Sequence, residues 1–113
     1  GYEISEAAMA QIRPGQSQEL VTIVLGSPQS TNTFGDQSAY YYVETKVQQT
    51  AFGMTSIKSR TVLAIYFDKN KKVIDMAVYT AADGKTETVE SRRTPSFGED
   101  RTFIQQILQS FGG

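Results

Sequence analysis

The chain has 113 residues, of which 39% are hydrophobic and 20% are charged, and its net charge at pH 7 is −1. A single domain of this size buries about two thirds of its unfolded surface, and so small a net charge gives no field that would attract nucleic acid. Histidine and cysteine are absent, which removes the commonest general base, a thiolate nucleophile and any Cys/His zinc site. We therefore expect neither catalysis nor a bound metal or cofactor.

Two short helices are predicted at the N-terminal end. Residues 4–12 carry apolar side chains at helical spacing after a candidate N-cap at Ser5, and Pro14-Gly15 ends this element. A second helix begins after Ser17 and ends at Gly26, a residue type that suits the position just after a helix. Its expected buried face carries Leu20, Val21, Val24 and Leu25.

An antiparallel meander is predicted next. Residues 29–37 are polar around the single aromatic Phe34, which indicates a loop. The three predicted strands cover residues 38–48, 60–68 and 72–80. Residues 49–59 are polar and contain glycine, so we expect a long, mobile hairpin loop there.

Both faces of the middle strand are apolar, so each needs a cover. Thr61, Leu63, Ile65 and Phe67 lie on one face, and Val62, Ala64 and Tyr66 lie on the other. The two helices would cover one of these faces, and a third helix near the C-terminus is available for part of the other. Ser96 and Glu99 resemble a capping box before its apolar stripe of Phe103, Ile104, Ile107, Leu108 and Phe111. Two alternatives stay open, since this stripe would serve equally to dock on another protein or to form a dimer. Residues 85–91 are a candidate fourth strand.

Aromatic residues are the strongest candidates for a binding surface. Tyr40 and Tyr42 point to one face of their strand and Tyr41 to the other. Tyrosine favours strands, and it is also enriched at interfaces because it combines an apolar ring with a polar tip. Phe34 in its polar surroundings is either a plug into the core or an exposed anchor for a partner.

Together these elements predict one α+β domain over residues 1–113, with a core of 4–80 and a C-terminal extension of 81–113. Two N-terminal helices would pack on a three-stranded antiparallel sheet, in the ααβββ order of β-lactamase-inhibitor-like domains, with an additional C-terminal helix. Fold does not fix function, so a periplasmic enzyme inhibitor is the alternative function. It would use the outer sheet face or the 49–59 loop. An enzyme would need a pocket in which a carboxylate and a lysine converge.

Five short motifs follow one another along the chain. They are Ile12-Arg13-Pro14-Gly15-x-Ser17, Leu25-Gly26-Ser27-Pro28, Phe34-Gly35, Tyr41-Tyr42-Val43 and Leu63-x-Ile65-x-Phe67-Asp68. Their order and spacing resemble the BamE (SmpA/OmlA) family of small outer-membrane lipoproteins, over about two thirds of the chain. Residues 91–95 and the C-terminal helix resemble an extension of alphaproteobacterial members.

The resemblance implies a monomeric, non-enzymatic accessory subunit of the machine that assembles outer-membrane β-barrels. It implies contact with the lipoprotein BamD and with phosphatidylglycerol, an anionic phospholipid. It also implies a location at the periplasmic face of the outer membrane, through a lipid-modified N-terminal cysteine that we expect to precede this sequence.

The resemblance also indicates where partners would bind, in the segment that follows the second helix and the start of the first strand. The candidate contact residues are Ser27, Gln29, Asn32, Phe34, Tyr40 and Tyr42. Phe34 and Tyr40 would be aromatic anchors within a polar rim. Gln29 and Glu44 depart from the family pattern, which has a more apolar and a basic residue at these positions. The change at Glu44 weakens the case for anionic lipid.

Overall fold

The computed structural model describes residues 3–49, 51–82 and 101–108. Its first helix, α1 (Glu6–Met9), begins at the predicted N-cap, where Ser5 Oγ accepts a hydrogen bond from the Ala8 amide at 3.2 Å. The helix is shorter than predicted because the next amides donate three residues back, from Gln11 to Ala8 and from Ile12 to Met9. Such tight bonds close a helix rather than extend it.

The second helix, α2 (Gln18–Leu25), confirms the predicted ends. Ser17 Oγ accepts from the Leu20 amide at 3.2 Å, and Gly26 follows with a φ of 85°, which a residue without a Cβ adopts at little cost. Val21 and Leu25 are buried, whereas Leu20 is 37% exposed. The prediction that Leu20 is buried is therefore wrong, since the stripe that meets the sheet is narrower than the sequence pattern suggested.

Among the described residues the sheet has four antiparallel strands, in the order β1-β2-β3-β4, where three were predicted. They are β1 (Ser30–Phe34), β2 (Gln37–Gln49), β3 (Thr55–Phe67) and β4 (Val73–Ala82). The predicted loop over residues 29–37 is wrong, because β1 lies there and joins β2 through the two-residue turn Gly35-Asp36. β1 lies at the edge of the sheet, where polar strands are tolerated, so its polarity does not mark a loop.

The second and third strands also extend further than predicted. Their ladder continues to the pair Gln49↔Thr55, with one register shift between Lys46 and Val47. The predicted hairpin loop over residues 49–59 is therefore limited to a short turn before Thr55. A two-stranded ribbon that leaves the domain has no buried face, so no alternation of apolar residues announces it.

Two separate apolar layers enclose the sheet, and the predicted alternation of β3 is confirmed. α1 and α2 cover one face, which buries Ile12, Val21, Leu25, Tyr42, Leu63, Ile65, Phe67 and Val73. The helix α3 (Arg101–Leu108) covers the opposite face, which buries Ala39, Tyr41, Val62, Ala64, Tyr66, Ala77, Tyr79, Ala81, Ile104 and Leu108. The C-terminal stripe thus packs on its own sheet, as predicted, through Ile104 and Leu108.

Three predictions near the C-terminus lie outside the described residues. They are the strand over residues 85–91, the capping box of Ser96 and Glu99, and the place of Phe111 in the third stripe. Within the described ranges, no helix has the length and apolarity needed to cross a membrane.

Candidate partner-binding surface

The connection between α2 and β1 carries the first two candidate residues and is fastened to β2. The hydroxyl of Tyr42 donates to the carbonyl of Gly26 at 2.8 Å. The Gln29 amide donates to the Tyr41 carbonyl at 3.0 Å, and Gln29 Oε1 accepts from the Val43 amide at 3.1 Å. Ser27 and Gln29 themselves are exposed. The connection therefore presents exposed polar groups on a backbone that is held in place.

Tyr42 supports this connection from beneath. Its side chain is fully buried in the layer under α1 and α2, and its hydroxyl reaches the end of α2. In this arrangement Tyr42 positions the exposed residues above it, and its own surface is not accessible to a partner.

Tyr40 lies on the same face and is half-buried. Its ring contacts Phe67 edge to face, with 4.8 Å between ring centroids, and its hydroxyl donates to Gln18 Oε1 at 3.2 Å. Gln18 Nε2 donates in turn to Ser38 Oγ at 3.3 Å. Sequence reasoning missed Gln18, which ties the start of α2 to the start of β2 and holds the Tyr40 ring in one orientation.

Phe34 and Asn32 lie on the opposite face of the sheet, the face that α3 covers further along. Phe34 is half-buried and contacts Tyr66 with 6.3 Å between ring centroids, at an interplanar angle of 67°. Asn32 is also half-buried, and its Oδ1 accepts from the Thr33 amide at 2.9 Å. Phe34 therefore extends the second apolar layer toward the sheet edge and leaves part of its ring in solvent.

The structure does not bring the two aromatic candidates to one face. Phe34 pairs with Gln37, and Tyr40 is three residues further along β2, so the two side chains project to opposite sides. β1 is the outer strand on this side of the sheet, so its outer side forms the edge that separates the two faces. A partner that contacts both rings must therefore pass around the edge formed by β1.

That edge is a feature the sequence reasoning missed. Thr31 and Thr33 are exposed, and among the described residues no strand pairs with the outer side of β1. Phe34 and Gln37 flank a two-residue turn, so they form a hydrogen-bonded pair of the antiparallel ladder. Because such pairs alternate along the ladder, the residues between them direct their amide and carbonyl groups away from β2, to the outer side of β1. The turn signal Gly35-Asp36, with β-branched Thr31 and Thr33 before it, was the clue to this strand.

Acidic side chains are spread along the described part of the chain. No three Asp or Glu carboxylates come together there in an arrangement that would hold a metal ion. Asp75 is a buried carboxylate at 1% exposure, and its Oδ1 accepts from the Met76 amide at 2.8 Å.

The model of the outer membrane protein assembly factor BamE domain matches residues 1–77. This range contains α1, α2, β1, β2, β3 and the first half of β4, and so includes every candidate contact residue. The chain belongs to the BamE family. The resemblance predicted from the five motifs is thereby confirmed. A comparison with curated proteins finds no match.

Family membership associates the chain with the outer membrane, on its periplasmic side, and with the Bam assembly complex. BamE is a family of assembly factors. The match ends before α3, so the helix that covers the second face of the sheet lies outside the matched range.

Proposed function

We propose that this BamE-family chain is a non-enzymatic accessory subunit of the outer-membrane β-barrel assembly machine. It stabilises the complex by contact with the lipoprotein BamD, and a lipid-modified cysteine ahead of the sequence holds it at the periplasmic face of the outer membrane. The observation that carries the proposal is the surface formed by the α2–β1 connection, the edge strand β1 and the half-buried rings of Tyr40 and Phe34.

The geometry of this surface suits recognition of a protein. Hydrogen bonds from Tyr42 and Gln29 hold the connection before a partner arrives, so little conformational entropy remains to be lost on binding. Tyr40 and Phe34 each keep one part of the ring packed and another part exposed, as aromatic anchors do. Since Tyr40 and Phe34 lie on opposite faces, the partner is expected to contact both faces of the sheet around the edge strand β1.

Phosphatidylglycerol binding at the same surface is the second part of the proposal. Glu44 follows Tyr42 on β2, and its Oε2 accepts from the Ile4 amide at 3.0 Å. This bond places a carboxylate where an anionic headgroup would have to approach. Contact with a protein is therefore the main role that we propose for the surface.

The test is co-purification from the native cell. The full-length precursor, with its anchor, is tagged and extracted gently, and its partners are identified by mass spectrometry. We expect a barrel-assembly core protein, lost with Tyr40→Ala or Phe34→Ala, because truncating a central anchor costs about 2 kcal/mol or more, roughly thirtyfold in affinity. Ile23→Ala is the matched control, since Ile23 is 72% exposed on α2 and lies outside both proposed contacts.

Two results would contradict the proposal. One is recovery of a soluble hydrolase in place of envelope proteins, which would favour the inhibitor alternative. The other is an unchanged yield of assembly proteins from Tyr40→Ala and Phe34→Ala chains that keep the parental melting temperature. The inhibitor alternative has already lost one of its two surfaces, because Ile104 and Leu108 cover the outer sheet face.

A further inference from the structure

The β2–β3 hairpin projects beyond the layers that cover the sheet. On one face the start of the chain reaches only to Glu44, through the Ile4 amide, and on the other Arg60 Nη1 donates to the Ile107 carbonyl at 3.1 Å. Among the described residues, the pairing between β3 and β4 runs no further than the pair Ser59↔Ala82. We call residues 45–59 the hairpin arm. From Thr45 to Gln49 it extends by about 13 Å at the usual rise of a strand.

The end of the arm is apolar and faces solvent. Phe52 is 90% exposed, Met54 is 67% exposed and Val47 is 60% exposed. Among the described residues, neither of the two apolar layers of the sheet includes any of these three side chains. Clustered exposed groups of this size mark a contact with something outside the chain.

The charges around this apolar end have one sign. Between Glu44 and Asp68 the sequence contains no acidic residue, but it contains Lys46, Lys58 and Arg60. The chain as a whole has a net charge of −1, so the rest of the molecule is net acidic. An apolar pocket on a protein would explain the exposed apolar side chains and would not require cations around them. An anionic lipid surface accounts for both features.

We propose that the hairpin arm inserts Phe52 and Met54 into the headgroup region of an anionic phospholipid bilayer. Lys46 is exposed on the same arm, where its ammonium group pairs with lipid phosphates while its alkyl stem lies along apolar surface. Insertion of 5–10 Å is typical of peripheral membrane segments, and the arm is long enough to supply it with the helices outside the bilayer. This contact is separate from the partner-binding surface and does not depend on the proposed function.

The chain contains no tryptophan, so one introduced tryptophan reports on its own surroundings. Phe52→Trp places the reporter on the arm, and Ile23→Trp is the matched control, since Ile23 is 72% exposed on α2. The 113-residue chain is mixed with vesicles of phosphatidylcholine, with or without phosphatidylglycerol. We expect a blue shift of emission at position 52 with the anionic vesicles only, reversed by salt, and none at position 23.

A binding measurement completes the test. Vesicle co-sedimentation of a Phe52→Ser, Met54→Ser double variant is expected to fall at least about tenfold, because two large apolar side chains no longer enter the lipid. Ile23→Ser should leave it unchanged. All of these sites are exposed in the free chain, so the melting temperature should not change.

Four outcomes would overturn the inference. They are no shift with either vesicle, equal shifts with anionic and neutral vesicles, equal shifts at positions 52 and 23, and a shift at position 52 that requires assembly proteins in place of lipid. Vesicle binding that survives the double variant and disappears with Tyr40→Ala would assign lipid to the partner-binding surface instead. Failure of the arm in these assays leaves the co-purification test unaffected, so the two proposals fail separately.

Discussion

Tyr42→Phe is the most direct test of how the partner-binding surface is held. The ring of Tyr42 is fully buried and would stay in its layer, so the substitution removes only the hydroxyl that donates to the Gly26 carbonyl at 2.8 Å. A neutral hydrogen bond of this kind contributes about 0.5–1.5 kcal/mol net. Gly26 is exposed, so water replaces part of the lost bond, and we expect a destabilisation of about 1 kcal/mol.

The expected loss is measurable in two ways. For a domain of this size, about 1 kcal/mol corresponds to a fall in Tm of roughly 4–8 °C. Hydrogen exchange should also accelerate at the Gln29 amide, which donates to the Tyr41 carbonyl in the connection that Tyr42 supports. Exchange in the middle of β3 should follow only the global change in stability.

Tyr40→Phe is the matched control. It removes a hydroxyl whose bond to Gln18 Oε1 is longer, at 3.2 Å, and whose partner is a side chain that can turn toward water. We expect less than about 0.5 kcal/mol for this variant. The reasoning is refuted if Tyr42→Phe costs no more than Tyr40→Phe, or if the Gln29 amide exchanges at the same rate in both.

The remaining predictions concern the sheet and its covers. Ala64→Leu should lower the free energy of unfolding by about 1–3 kcal/mol in chemical denaturation, because the fully buried Ala64 packs in the layer that α3 covers and three more carbons would overfill it. Parental stability of this variant would contradict close packing in that layer. Deletion of residues 99–113 should lower the melting temperature or solubility, because it uncovers the face filled by Ile104 and Leu108, and a soluble, monomeric product with the parental Tm in light scattering and calorimetry would refute this. Gly35→Ala should cost about 1 kcal/mol and accelerate exchange in β1, because Gly35 has a φ of 66° that an L side chain adopts at a cost, and unchanged exchange would argue against this turn.

The sequence predicted the elements whose signals are local. The N-caps Ser5 and Ser17 have side chains that bond their own helix, and the end of α2 follows from glycine at position 26. The alternation along β3 is set by the pleat, so both apolar layers were predictable, and so was the need for a third helix. These features depend on neighbours within a few positions in the chain.

What the sequence did not predict depends on position within the sheet. β1 is polar because it lies at an edge, and the outer half of the hairpin is exposed because it leaves the domain. Neither segment buries a face, so neither shows the alternation that identifies a strand. The relative placement of Phe34 and Tyr40 was missed in the same way, since the two-residue turn at Gly35-Asp36 decides that they project to opposite faces.

The two proposed contacts lie toward opposite ends of one strand. Tyr40 is near the start of β2 and the hairpin arm continues from its end, so about 30 Å of strand separates Tyr40 from Gln49. The start of the described chain meets the sheet between them, where the Ile4 amide bonds to Glu44 at the base of the arm. If both proposals hold, the lipid anchor and the arm would together hold the domain at the bilayer and leave the edge at β1 for the protein partner.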